Sequence, residues 1–175
     1  KDGVMAERNE PALAPRRLGF PVKVMTSPDL KSNDTRRWQQ GPHLKTSLGY
    51  LDGILDHLAK HAIRMYRMSS DLAPYATHPD MPQFHGMVRD SAAELAEAGR
   101  RGGALDSRLS FHPAQCVVLN SPEPELVRKS VWDLTSQAGR LDRMELGPEA
   151  VMVIHVGGTY GDRPTSNARW VETWK

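Results

Sequence analysis

Short apolar runs alternate along this chain with longer stretches whose apolar residues recur at helical spacing. The apolar runs predict strands near 16–21, 62–67, 109–112 and 151–155. The longer stretches predict helices near 43–61, 87–101 and 124–141, and a fourth beginning near Ser166 or Asn167. Strands that alternate with helices indicate a parallel sheet with right-handed crossovers.

The order β-α-β-α-β-α-β-α predicts an α/β fold built from four βα units over residues 16–175. Four units make half of a (β/α)₈ barrel, which usually needs about 250 residues. We therefore expect a partial TIM-like barrel, with a complete, open doubly wound sheet as the alternative. No G-x-G-x-x-G follows the first strand, which weakens the nucleotide-binding version of that alternative.

Several details of this prediction can be compared with the structure. Gly102 and Gly103 are expected to end the second helix, and Val151–His155 reads as a strand buried on both faces. The apolar stripe of the first helix is Leu44, Leu48, Leu51, Leu55 and Leu58. The stripe expected for the third helix is Leu126, Val127, Val131, Leu134, Ala138 and Leu141.

Two segments lack a regular apolar pattern. Residues 1–15 combine charges with Pro11 and Pro15 and read as a flexible extension. Residues 22–42 form a polar, turn-rich loop, and a loop of that length in a compact domain is usually functional or mobile. The chain also ends within a helical pattern that has no cap, which predicts a fragment of a longer protein.

Composition excludes some classes of protein. The chain has 175 residues, 39% hydrophobic and 25% charged, which is typical of a globular domain. No run of about 18 apolar residues is present, so no membrane span is expected. The formal net charge of +2 is too small to argue for nucleic-acid binding. One cysteine and no visible signal peptide predict a cytoplasmic protein in a bacterium, or a nuclear or mitochondrial one in a eukaryote.

Three histidines lie at or after predicted strand ends: His78, His112 and His155. The carboxyl ends of parallel strands open on one face of a barrel, so these imidazoles could converge there. Converging imidazoles suit Zn²⁺ or Mn²⁺. The alternative is that each is a hydrogen-bonded structural histidine.

Other side chains near the strand ends could take part in chemistry. Arg67 could hold a phosphate or pair with a carboxylate, and Gly157-Gly158 could let a phosphate approach the backbone or simply form a turn. Cys116 near His112 could be a nucleophile, although a small buried residue is the favoured interpretation. His57 and His61 share a helix face, and a solvated helix end is favoured over a chelating pair.

Three ordered motifs stand out: YRMSSDLAPYATHP at 66–79, RLSFHPAQCVVLNSP at 108–122 and IHVGGTYGD at 154–162, with RLGFP at 17–21. Together they resemble one family, the UV damage endonucleases called UvdE. The resemblance covers roughly residues 16–175. It implies a TIM-like barrel that nicks DNA immediately 5′ of a UV photoproduct, using a cluster of divalent metals, commonly Mn²⁺, with Zn²⁺ or Mg²⁺ as alternatives.

The resemblance also implies roles for individual residues. His78, His112 and His155 match metal-site histidines of the family. Gln115 and Cys116 match the pair that probes the duplex opposite the lesion, which is typically Gln-Tyr, so Cys116 is a departure. Phe20 occupies a position where Tyr is common, and it is assigned to lesion recognition with that pair. Ala114 replaces a usual Gly.

The attacking group implied by the resemblance is a metal-bound hydroxide, so no protein side chain is assigned as a catalytic nucleophile. The family's metal-binding carboxylates lie in the second half of the barrel. Without that half, neutral imidazoles cannot offset several divalent charges. We therefore predict that the 175-residue chain alone does not nick irradiated DNA. The alternatives are a xylose-isomerase-like sugar isomerase or epimerase, and a non-catalytic half-barrel that dimerises or binds nucleic acid.

Overall fold

The computed structural model describes residues 16–175, so the flexible extension predicted for residues 1–15 lies outside the described part of the chain. The centre of the fold is a parallel sheet of three strands in the order β1-β2-β3. The strands are β1 (Gly19–Pro21), β2 (Met65–Met68) and β3 (Arg108–Phe111). Each lies within one of the predicted apolar runs or overlaps it.

Helices pack beside this sheet in the predicted alternation. They are α1 (Leu44–Lys60), α2 (Met87–Asp90), α3 (Ala92–Ala104), α4 (Pro124–Arg143) and α5 (Arg163–Trp174). Short 3₁₀ turns lie at Trp38–Gln40, Ser70–Leu72 and Pro82–Phe84. In the described residues no helix is long and apolar enough to span a bilayer.

The predicted apolar stripe of α1 is confirmed, because all five of its leucines are buried in the main core. This core also contains alternate residues of the strands, including Tyr66, Met68, Leu109 and Phe111. Alternate residues of a strand point to opposite sides of a sheet. The other side therefore carries Arg67, Ser110 and, by continuation of β3, His112.

The second predicted helix differs from expectation at two places, Ser91 and the glycine pair Gly102 and Gly103. It is broken at Ser91 into α2 and α3, and α3 continues through Gly102 and Gly103 to Ala104. The glycines serve packing rather than termination. A Cβ on Gly102 would lie 2.8 Å from Leu109 Cδ1, and one on Gly99 would overlap the Met144 carbonyl. Small residues thus let α3 approach the sheet and the end of α4 closely.

The stripe predicted for α4 is wrong in part, because the helix is rotated toward a more polar face. Val131 is 42% exposed, whereas the buried residues are Ser130, Leu134, Gln137, Arg140 and Leu141. Hydrogen bonds offset part of the cost of burying Ser130 and Gln137. Ser130 Oγ accepts from the Val118 amide at 3.0 Å, and Gln137 Nε2 donates to Asp133 Oδ2 at 2.9 Å.

The fourth predicted strand is reduced to a single parallel bridge between Phe111 and Met152. Two backbone hydrogen bonds hold it, from the Phe111 amide to the Val151 carbonyl and from the Val153 amide to the Phe111 carbonyl, both 3.1 Å. Val153 is 44% exposed, so the expected burial on both faces is also wrong. The reason is that no further strand of residues 16–175 pairs with this segment.

Candidate functional site

His112 and His155 meet at the carboxyl edge of the sheet. Their Nε2 atoms are 2.9 Å apart and their ring centroids are 4.7 Å apart. His112 directly follows β3, and the bridge at Met152 keeps the segment that leads to His155 beside that strand. The predicted convergence of these two histidines is therefore present.

Charge and burial favour the neutral form of His112. Its pKa is lowered by burial first, then by the positive charges of Arg67 and His155. Arg67 is in register with Ser110, two residues before His112. A neutral imidazole can accept or donate one hydrogen bond, and it is also the form that binds metal.

His78 lies in the loop that follows β2, and the described contacts do not bring it to the other two histidines. Its Nδ1 accepts a hydrogen bond from the Asp80 amide at 3.2 Å. Its carbonyl contacts His85 Nε2 at 2.7 Å. A neutral ring with an accepting Nδ1 carries its proton on Nε2, so binding metal through Nε2 would require that hydrogen bond to break.

The described residues fit a divalent metal only in part. Two nitrogens 2.9 Å apart can share one ion as neighbouring ligands. Within residues 16–175, however, no group of three or more His, Cys, Asp and Glu side chains is arranged to hold a metal. The pair therefore supplies two ligands, and a complete coordination sphere needs donors from elsewhere.

Gln115 and Cys116 stand at the tip of an exposed turn that follows His112. The turn is closed by a hydrogen bond from the Val117 amide to the Ala114 carbonyl at 2.9 Å. Both side chains are exposed, and Cys116 is a free thiol. The expectation that Cys116 is a buried strand residue is wrong, because Pro113 ends the strand and the turn projects outward. Exposure on the histidine edge is what a residue that contacts a large ligand needs.

The loop after His155 is tied down by a polar network. The Asn120 side chain is buried and its Nδ2 donates to the Gly158 carbonyl at 2.8 Å. Arg169 Nε donates to the Asn120 carbonyl at 2.9 Å. Gly157 has a φ of +101°, and a Cβ there would overlap Asn120 Oδ1. Gly157 and Gly158 are both exposed, so their backbone is accessible to a ligand.

Arg67 and Phe20 have different surroundings. Arg67 is half-buried, and its Nε is covered and has no hydrogen-bond partner among the described residues, so no protein acceptor fixes the guanidinium through that nitrogen. Phe20 packs edge-on against His57 and Tyr66, with ring centroids 6.2 and 5.4 Å away. It therefore contributes to the core beside α1. Its role at a lesion stays a prediction.

Sequence reasoning misses three residues around this site. Asn120 and Arg169 lie in no apolar or metal-ligand pattern that would single them out. Arg140 on α4 is 2% exposed, and its Cζ lies 5.0 Å from the ring centroid of Phe111, the residue before His112. Burial lowers the pKa of Arg140 to about 10. A buried cation cannot be recognised from helical periodicity, which treats charged residues as solvent-facing.

Comparison with known proteins gives a consistent family. The model of UV-endonuclease UvdE matches residues 25–175. A UV DNA damage endonuclease from Bacillus cereus is 30% identical over 161 residues, covering 89% of this chain and 49% of the relative. One from Bacillus pumilus is 37% identical over 116 residues, covering 66% and 35%. A UV-damage endonuclease from Neurospora crassa is 37% identical over 117 residues, covering 63% and 17%.

A solved structure supports the same grouping. The crystal structure of SacUVDE matches this chain with a TM-score of 0.77 at 28% identity, covering 90% of this chain and 55% of SacUVDE. Together with the parallel sheet and its helices, this match confirms the predicted α/β partial barrel. The chain spans about half or less of the length of the curated relatives described above.

Proposed function

Because this chain belongs to the UvdE family of UV endonucleases, we propose that it forms part of a DNA repair endonuclease that nicks duplex DNA on the 5′ side of UV photoproducts. The observation that carries the proposal is the 2.9 Å contact between His112 and His155 at the carboxyl edge of the sheet. Active sites of barrels are built at that edge. The family match favours this function over the sugar isomerase that the fold alone would allow.

The proposed cofactor is a divalent metal, with Mn²⁺ the first candidate and Zn²⁺ or Mg²⁺ the alternatives. His112 and His155 would hold it, and His78 would join them if its bond to Asp80 breaks. When bound, such an ion supplies positive charge that stabilises a reacting phosphodiester and lowers the pKa of water. The protein's own contribution is to favour the neutral form of His112, because burial and then the positive charge of Arg67 lower its pKa.

The proposed contacts with DNA come from the exposed groups around the histidines. Gln115 and Cys116 would reach into the duplex from their turn, opposite the damaged bases. The Arg67 guanidinium and the backbone at Gly157 and Gly158 would contact phosphate oxygens. A thiol cannot stack on a base as an aromatic ring would, and stacking is worth about 1–3 kcal/mol per base. Gln115 would therefore contribute most of the contact from this turn.

The remaining metal ligands are proposed to come from outside residues 16–175. These residues contain no third ligand in reach of the histidine pair, and hard divalent ions need carboxylates. A second segment corresponding to the other half of the barrel would supply them and would pair with the segment at Met152. The 175-residue chain by itself is then expected to be inactive.

A plasmid-nicking assay tests the proposal in two arms. Supercoiled plasmid, irradiated or not, is incubated with Mn²⁺ and either the 175-residue chain or a fusion that adds the part of the Bacillus cereus relative outside the matched region. We expect nicking of irradiated plasmid by the fusion only, and its loss in His155→Ala. His61→Ala, a histidine at the far end of α1, is the control that should retain activity.

The two arms test different parts of the proposal. Efficient nicking by the 175-residue chain would show that the site is complete without further ligands. A folded fusion that leaves irradiated plasmid intact, with circular dichroism confirming its structure, would contradict the endonuclease assignment itself.

A further inference from the structure

The segment that joins β1 to α1, residues 22–43, leaves the sheet at the same edge as His112 and His155, because the strands are parallel. We call it the β1–α1 platform. Its cationic residues are Lys23, Lys31, Arg36 and Arg37, and its acidic residues are Asp29 and Asp34. The site formed by the histidine pair gives none of these charged residues a role.

A buried carboxylate gives the β1–α1 platform a fixed shape. Asp34 is 2% exposed and accepts hydrogen bonds from Arg36 Nη2 at 2.6 Å, Arg36 Nε at 2.9 Å and the His43 amide at 3.0 Å. The Asp34 amide in turn donates to Ser47 Oγ of α1 at 2.9 Å. Arg36 holds the pKa of Asp34 down at about 2, so the carboxylate stays charged at neutral pH. The negative charge of Asp34 is thus paired with Arg36 and with the backbone inside the platform.

The other cations of the platform face outward. Lys23, Lys31 and Arg37 are exposed and take part in none of the ion pairs formed within residues 16–175. The Lys31 ammonium lies 5.3 Å from the ring centroid of Tyr50, which restrains its position. Lys23 and Lys31 line an open pocket of about 370 Å³. Asp29 is the single exposed acid of the platform, so the surface has an excess of positive charge.

We propose that the β1–α1 platform binds the phosphate backbone of duplex DNA beside the histidine pair, through Lys23, Lys31 and Arg37; this rests on the proposed function. Strand β1 is two strands from β3, about 10 Å at the spacing of a sheet. Duplex DNA carries one charge per about 1.7 Å of axis, so about six phosphate charges lie within about 10 Å of axis, and a duplex on the histidine edge would have phosphates within reach of the platform. Phosphate contacts position a duplex and do not depend on its bases or damage.

Salt-dependent binding of undamaged duplex tests the proposal independently of cleavage. Fluorescence anisotropy with the 175-residue chain in EDTA compares wild type with Lys23→Gln, Lys31→Gln and Arg37→Gln combined. The control combines Lys60→Gln, Arg100→Gln and Arg143→Gln, which removes the same charge from exposed positions at the carboxyl ends of α1, α3 and α4, the opposite edge. Thermal unfolding of each variant confirms that the fold is kept.

The platform variant should bind about ten- to a hundred-fold more weakly at 0.1 M salt. The magnitude of its slope of log K against log salt should decrease by about 3. The control should change affinity by less than about three-fold. Equal effects of the two triple variants, or none from the platform variant, would overturn the platform while leaving the endonuclease proposal standing. So would tighter binding of a poly-glutamate peptide of matched charge than of the duplex. Retained platform binding in a fusion that cannot nick would instead overturn the endonuclease alone.

Discussion

Single residues define the environment of the histidine edge. The bond from Arg169 to Asn120, and the bond from Asn120 to Gly158, hold the loop that begins at His155. Gly157 fits this network because it has no side chain and adopts a positive φ. The position of His155 thus depends on Asn120 and Arg169, to which no contact with DNA is assigned.

Gly157→Ala is expected to lower the free energy of unfolding by about 1–3 kcal/mol, because the new Cβ is both strained and in conflict with Asn120. Urea denaturation measures the loss. Gly158→Ala is the matched control: its Cβ would lie 3.4 Å from the Tyr160 ring, an ordinary contact, so less than about 1 kcal/mol is expected. Equal losses in the two variants would argue against a specific role for the Asn120 contact.

Asp34→Asn tests the buried carboxylate through pH. The pKa of Asp34 falls from 3.8 to about 2 in the folded protein, so its charge favours folding above about pH 4, and this contribution is lost as pH falls toward 2. At pH 7 the variant should be less stable by about 1–2 kcal/mol, since Arg36 is half exposed and partly screened. The deficit should shrink as pH falls from 4 to 2, and Asp29→Asn should show no comparable trend. A deficit independent of pH would point to packing instead.

At the level of elements, α4 shows why burial and hydrophobicity are not the same. Its inward face carries Gln137 and Arg140 because Asp133 and the Phe111 ring offer them partial partners. Arg140 Nε nevertheless has no hydrogen-bond partner in the described structure. Desolvation of such a charge is costly, and a weak partner set does not offset it.

Arg140→Met should leave the free energy of unfolding unchanged or raise it by about 1 kcal/mol, because an apolar chain of similar length relieves the buried charge. Arg140→Ala should lower it by about 2–4 kcal/mol through the cavity it leaves. Arg143→Met, on the exposed side of the same helix, is the control and should change little. Chemical denaturation measures the free energy of unfolding of each variant. A loss above about 2 kcal/mol in Arg140→Met would show that the cation is a net stabiliser of α4.

For the whole molecule, backbone pairing decreases across the sheet from β2 to the segment at Met152. Strand β2 pairs on both sides, whereas Val151–His155 is held by a single bridge. An unpaired edge of this kind leaves amides open to water. Among the described residues, His155 therefore lies on the segment that is least constrained by pairing with the sheet.

Hydrogen exchange measured by NMR should show this gradient. Amides of Met65–Met68 are expected to exchange at least about 100-fold more slowly than those of Ile154 and His155. The comparison is internal, so changes in global stability affect both sets alike. Similar protection of the two sets would mean that another copy or segment covers the edge in solution, which dilution of the sample would reveal.

Local sequence patterns located three of the four predicted strands, the four helical regions and the fold class. Hydrophobic periodicity and the residues that end an element are local properties. The five leucines of α1, Pro113 after β3 and the alternation of strands with helices could therefore be recognised directly. The resemblance of three motifs also identified the family that the comparisons confirm.

Which distant groups meet depends on the packing of the folded chain. His112 and His155 are 43 residues apart, and their contact depends on how two chain segments align. The polar face of α4, the packing role of Gly99 and Gly102, and the single bridge at Met152 likewise depend on neighbours far away in sequence. Local patterns hold no information about such neighbours, because burial is a property of the packed molecule and not of the residue.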